Sequence, residues 1–522
     1  MRRSTREAGS WQIALLGPVC LVGLVFCLVL IRGGQVPVLV VFVCLISGLT
    51  LLGFLKPLYL FLATVLFLPF EALNAPDLPL NVQLVLLLTM IGLLVGFIRS
   101  PSLPRTPVDH LFLAYLGVLV ISILQSYVLS DLEPPQLLPT ELGWRASPYR
   151  GWYHLVAIIM GMAIVYFTVR NVTSSARLRA AVLSLFSISL AVASFSLYEA
   201  VAKARGLPLI SFSFRDSDYV SLSRYVIAGL AVPRVYGSAI EPLSFGNFLL
   251  LPLSLSAALL VVGKGLQRHR AMVYATLATA ILALLLTFST SAWFGALVSL
   301  CVLLALTRFR RVHRAVIPLF VVVMAILLFS PLGSQQILQS ISETEQSKIE
   351  ASLGGNIQDF RYVGWRRSFS IIAQFPVLGV GLGNEPFWMD SQDLTIGSYN
   401  ILLSHFVEAG ALGCIVFSFT ILRLLRLFWA AHQRAHDPEH SAISLGCAAA
   451  LSGCLASHMA WGGRLASWEW FLIGFGLATH RVIQAEWRVA QERRVRAKAL
   501  SPRETSPWRR FRPRYAVGNI AL

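Results

Sequence analysis

The 522-residue chain is 56% hydrophobic and only 13% charged. A soluble domain averages roughly 45–50% apolar and about 25% charged, so this chain lacks the charge to cover a water-facing surface of its size. The mean hydropathy of +0.70 agrees. A cytosolic enzyme, a secreted disulfide scaffold and a disordered chain are excluded, and a polytopic membrane protein is expected.

A span needs about 20 apolar residues, because backbone amides in hydrocarbon must pair within the segment, and the chain offers roughly fourteen such stretches. They lie near 11–31, 36–54, 57–72, 79–98, 110–129, 151–169, 180–201, 239–262, 271–288, 291–307, 315–331, 399–422, 442–460 and 467–484. The first has no small-residue cleavage site and reads as a span rather than a signal peptide. The third carries Pro57 and Pro69 and is short. All seven cysteines fall inside apolar runs, which suits small core hydrophobes rather than a disulfide or a metal site.

The chain carries 43 Lys and Arg against 25 Asp and Glu, a net charge of +18. Such a surplus invites a nucleic-acid reading. Its placement argues otherwise. With Met1 in the cytoplasm, that side collects Arg2, Arg3, Arg6, Lys56, Arg99, Arg105, Arg170, Arg177 and Arg179. It also takes the clusters at 264–270 and 308–314, then Arg423, Arg426, Arg434 and the Arg-rich tail 485–522. The positive-inside rule then puts both termini in the cytoplasm and explains the charge, with no nucleic acid among the partners.

Two long loops face outward, near 202–238 and 333–398. Long loops are usually functional. In the second, Ile337, Leu338, Ile341, Ile349 and Leu353 recur at helical spacing, and Phe369, Ile372 and Phe375 do so again, so amphipathic helices against the outer membrane face are expected. The chain divides into a first bundle with its loop (1–238), a core with the large loop (239–422), C-terminal spans (423–484) and a basic tail (485–522). Asp216-Ser217-Asp218 reads as a solvated loop.

The outward arginines run against the insertion bias and offer planar, permanent charge to phosphate oxygens. They include Arg234, Arg361, Arg366 and Arg367. Glu241 lies at the membrane boundary seven residues after Arg234, where an ionisable group suggests function. It also reads as ordinary helix-start chemistry beside Pro242. Asn400, Ser404 and Glu408 share one helix face, and His405 and Glu408 are spaced to pair. The run Gly379-Val380-Gly381-Leu382-Gly383 has no strand before it, so it is no dinucleotide fingerprint; its glycines let backbone approach backbone or a ligand.

Over 230–422 these residues resemble the O-antigen ligase and Wzy polymerase superfamily of envelope glycan enzymes. The pattern is Arg234-Val-Tyr-Gly237 before Glu241-Pro242, the hairpin Ser289-Thr290-Ser291-Ala292-Trp293, then Arg361, Trp365, Pro376 and the three glycines. It closes with Tyr399-Asn400 and Gly410-Ala-Leu-Gly413. Two positions depart from it: Thr290 stands where the hairpin has Arg, and Tyr399 where the ligases have His. The resemblance implies an all-α, GT-C-like membrane glycosyltransferase of the bacterial inner membrane that needs no cofactor or metal. Its donor would be a glycan on undecaprenyl diphosphate, and its other partners the growing polysaccharide, membrane lipids, and flippase, chain-length or export proteins. Arg234, Arg361, Arg366, Arg367, Asn400 and Glu408 would bind the diphosphate or glycan. Glu241 is the first candidate base, ahead of His405 and Tyr399. The missing His favours a polymerase over a ligase. A transporter or flippase would need charges on several helices near mid-membrane, and a non-catalytic scaffold would follow if the two substitutions abolished activity.

Overall fold

A computed structural model describes residues 56–70, 84–100, 102, 104–129, 149–207, 224–227, 230–239, 241–262, 269–307, 360–389, 397–462 and 464–500. The expected spans at 11–31, 36–54 and 315–331, the helix at 337–353 and Asp216–Asp218 lie outside them.

Helices carry almost all of the described chain. They are α1 (Pro57–Phe67), α2 (Leu84–Arg99), α3 (Asp109–Leu129), α4 (Tyr149–Asn171), α5 (Ser175–Arg205), α6 (Pro242–Val262), α7 (Arg270–Leu286) and α8 (Thr290–Leu306). After the large loop come α9 (Phe360–Gln374), α10 (Glu385–Trp388), α11 (Ile401–Arg434), α12 (Pro438–Trp461) and α13 (Ser467–Leu500). Six of these, α3 to α6, α11 and α12, are long and apolar enough to cross a membrane; α1, α2, α7 and α8 are apolar but shorter. An unforeseen antiparallel hairpin, β1 (Arg224–Ile227) with β2 (Leu230–Pro233), interrupts the loop after α5.

Polar contacts between helix termini mark two ends of the bundle. At the lower end Arg179 of α5 pairs with Glu439 of α12 at 2.7 Å, Arg170 of α4 donates to Ser100 O at 2.8 Å, and Ser175 donates to Glu486 of α13 at 2.8 Å. At the upper end the Asn400 amide donates to Met459 O at 3.0 Å, joining the start of α11 to the end of α12. Ser238 there donates to Pro69 O at 2.6 Å, closing the loop onto the end of α1.

Apolar side chains lie on both faces of the bundle wall. Leu113 on α3 is 69% exposed and Ile415 on α11 is 63% exposed, amid Leu124, Val128, Phe419 and Leu422. Such a surface would aggregate in water and suits hydrocarbon. Inside, small residues bring backbones together as membrane helices require. A Cβ on Gly453 of α12 would lie 2.5 Å from Gly295 O of α8, and Ser299 beside it donates to Ala449 O at 2.9 Å.

Candidate functional site

The upper end holds the site, and a helix break builds it. Residue Gly410 of α11 has φ 64 and ψ −167, so the helix ladder fails there. The backbone groups that the break leaves unpaired would be costly in a membrane interior. The segment 376–383 satisfies them. Val380 N donates to Val407 O at 2.9 Å, Gly381 N to Glu408 O at 3.0 Å, and Ala411 N donates back to Pro376 O at 2.9 Å. The glycine run serves this docking. Gly379 has φ +69, and a Cβ on it would lie 2.4 Å from Val407 O. Backbone does approach backbone, as the sequence suggested.

Glu408 faces the docked segment. Its Oε1 accepts from Gly383 N at 3.0 Å and from the Arg464 guanidinium at 2.8 Å. The expected pairing with His405 does not form. His405 turns into the bundle, where Nε2 bonds Tyr115 Oη at 2.8 Å, Nδ1 bonds Ile401 O at 2.8 Å, and the ring packs on Phe417. Glu408 and Arg464 line one side of a mostly apolar cavity of about 70 Å³ between α3, α4, α11 and α13, whose wall also includes Phe112, Tyr115, Phe417 and Trp470.

A second cluster gathers around Arg234. Its Nε donates to Thr287 O at 3.0 Å and its Nη2 to Phe288 O at 3.4 Å, so it binds the carbonyls at the end of α7. The turn carrying it is clamped from α5. Glu199 accepts from Gly237 N at 2.9 Å, and Lys203 donates to Arg234 O at 2.7 Å while pairing with Glu199 at 2.6 Å. Glu241 opens α6 beside Arg234. The residue is exposed overall, yet partial burial of its carboxyl raises it above the ordinary value, and Arg234 opposes that rise. Thr290, in the place of the hairpin Arg, is exposed nearby at the start of α8.

Tyr399 precedes the N-cap Asn400, whose Oδ1 accepts from Leu402 N at 3.0 Å and Leu403 N at 3.2 Å. Tyr399 has φ 46, and Phe288 in the α7–α8 turn has φ 47; they are the positive-φ non-glycine residues among those described. Residues in that region are strained and cluster at functional sites. The sequence offered no sign of either.

Of the large-loop arginines, Arg367 binds the Met389 carbonyl, Arg366 is exposed on α9, and Arg361 stands in the first turn of α9, its side chain outside the described residues. Sequence reasoning missed Glu199, Lys203, Arg150, Arg464 and Glu385. The Glu199–Lys203 spacing of four was a readable signal. Partners distant in sequence gave none.

Residues 275–418 match the model of the O-antigen ligase family. Over this stretch the chain is similar to that family. The match runs from α7 through the large loop to the first half of α11, and so includes the α7–α8 turn, the glycine run, Tyr399-Asn400 and the Gly410 break. Among curated proteins no relative matches. Four cysteines among the described residues, Cys301, Cys414, Cys447 and Cys454, are free.

Proposed function

We propose that the chain is a polymerase of a bacterial surface polysaccharide, joining repeat units carried on undecaprenyl diphosphate at the outer face of the inner membrane. The observation that supports this reading is the gathering of Arg234, Glu241, the α7–α8 turn, the docked glycine run and Tyr399-Asn400 at one end of an apolar bundle. In the reaction, an acceptor hydroxyl attacks the anomeric carbon of the donor. The carbon–oxygen bond to the diphosphate breaks, and the bond's electron pair leaves with the lipid diphosphate. Glu241 takes the hydroxyl proton, and Arg234 with Arg361 carries the charge that grows on the leaving group. Arg366, Arg367, Asn400 and Glu408 shape the glycan side. His405, walled in by Tyr115 and Phe417, acts through packing. A ligase is the second reading; the tyrosine in the place of the ligase His disfavours it.

Deleting the gene and separating the lipid-linked saccharides tests the reading. A polymerase leaves single repeat units on lipid. Full-length polymer stranded on lipid would identify a ligase instead.

The upper end must then be external. Reporter fusions after Arg105, Arg179, Arg270, Arg314 and Arg434 are expected to report cytoplasm, and fusions near Leu137, Asp218 and Gln358 the outside. A cytoplasmic signal from Gln358 would remove the site from the face where lipid-linked units are joined.

Arg234→Ala and Arg361→Ala are each expected to abolish polymer at normal membrane abundance, since charge-assisted bonds to a diphosphate contribute about 2–4 kcal/mol each to the transition state. Lysine should rescue poorly, because a point charge cannot reproduce the planar fork. Wild-type polymer from both alanine variants would end the donor assignment.

A further inference from the structure

We propose that Glu385 is a positioning residue of this mouth: its buried carboxylate holds residues 397–400 in their strained path and so sets where Tyr399 and Asn400 meet the acceptor sugar. The proposal rests on the glycan-transfer reading above.

Glu385 opens the short α10 immediately after the docked glycine run and is 6% exposed. Its carboxylate accepts the backbone N–H of Ser398. The Ser398 and Ser404 hydroxyls share a 2.5 Å hydrogen bond beside it, and both favour its charge. One side chain thus ties the large loop, the residue before Tyr399 and the first turn of α11 into one unit. Two further charged groups face it. Arg150 on α4, whose guanidinium lies 5.2 Å from the centre of the Phe387 ring, attracts it, and Glu408 on α11 repels it. Burial pushes the Glu385 carboxyl above its ordinary value, and the serine hydrogen bonds and Arg150 pull it back.

What the carboxylate holds is a position that resists being held. Tyr399 has φ 46, a conformation that glycine adopts freely and a side chain with a Cβ does not. The backbone around it is close-packed. A Cβ on Gly364 of α9 would come 2.3 Å from Gly397 O, and one on Gly462 at the end of α12 would come 3.0 Å from Tyr399 Cα. Such strain persists where surrounding contacts over-determine it, and a buried carboxylate that accepts the Ser398 N–H beside the paired Ser398 and Ser404 hydroxyls is such a contact. A neutral plug would close the space at lower desolvation cost. The carboxylate adds direction, because it draws donors to fixed points.

The test uses full-length protein in membranes carrying Glu385→Ala or Glu385→Gln, with polymer formation and amide hydrogen exchange as readouts. Glu385→Ala is expected to slow polymer formation by about tenfold or more at unchanged abundance, as misplaced groups do. It should also speed exchange at Ser398–Leu403. Glu385→Gln, which keeps an acceptor for the Ser398 N–H, should restore the rate to within about threefold of wild type and slow that exchange again. A Glu385→Gln protein as slow as Glu385→Ala, or a wild-type exchange pattern in Glu385→Ala, overturns the positioning role. Faster exchange in a protein whose deletion leaves polymer untouched would instead overturn the glycan-transfer reading alone.

Discussion

Gly410→Ala is expected to remove about 3–5 kcal/mol of stability, combining the left-handed penalty with overpacking in a docked backbone. The added Cβ would meet Val377 O at 2.1 Å, Val377 C at 2.2 Å and Leu378 N at 2.4 Å, at φ +64. All three are backbone atoms, so no flexible side chain can give way. The segment 376–383 would have to lift off α11, leaving the Val407 and Glu408 carbonyls without the amides of Val380 and Gly381. Against a native stability of roughly 5–15 kcal/mol this loss is large, and membrane abundance should fall with it. Gly117→Ala on α3 is the matched control, since a Cβ there meets nothing within 4 Å. Its thermal midpoint should stay at or slightly above wild type, alanine being the better helix former. Equal midpoints for the two variants would show that the break is not closed by this docking.

Glu241→Gln is expected to lower polymer formation by about 10²–10⁴-fold, the usual worth of a general base, with correct insertion. Tyr399→Phe is expected to retain substantial activity. An unperturbed tyrosine, with a pKa near 10, is protonated at neutral pH and accepts a proton poorly. Glu241 reaches solvent at the mouth, and partial burial raises its carboxyl above the ordinary 4.5. A base works deprotonated, so the raised value moves the acid-side loss of activity upward in pH. The wild-type rate should therefore fall, as pH drops, above the range of an ordinary glutamate, and Glu241→Gln should lose that limb along with the rate. If Tyr399→Phe were inactive and Glu241→Gln active, the proton acceptor would occupy the position where the ligases carry His.

The spans were legible because hydrocarbon demands long, internally paired apolar segments, and every apolar stretch inside the described residues became a helix. The role of Gly379, Gly381 and Gly383 was legible as close backbone approach, but not its partner. Gly410 lies in an apolar run and gives no sign that the ladder fails there. Once it fails, the face bearing Glu408 turns to the inserted segment and to Arg464, 56 residues on, so the His405–Glu408 spacing misled. Arg234 was found by its motif, whereas its contact with the Thr287 and Phe288 carbonyls depends on where α7 ends in space. Glu385 passed unnoticed because a single acid in a loop has no periodicity to mark it.

The central claim is that both partners in the reaction are carried on lipid diphosphate. The purified protein, reconstituted in vesicles with polyprenyl-diphosphate-linked repeat units as the sole glycan, tests it most directly. The account predicts a ladder of lengthened lipid-linked saccharides without any other acceptor, and no ladder from Glu241→Gln. A single repeat unit left unchanged until a lipid A-core acceptor is added, and then transferred to it, would contradict the account and make the protein a ligase.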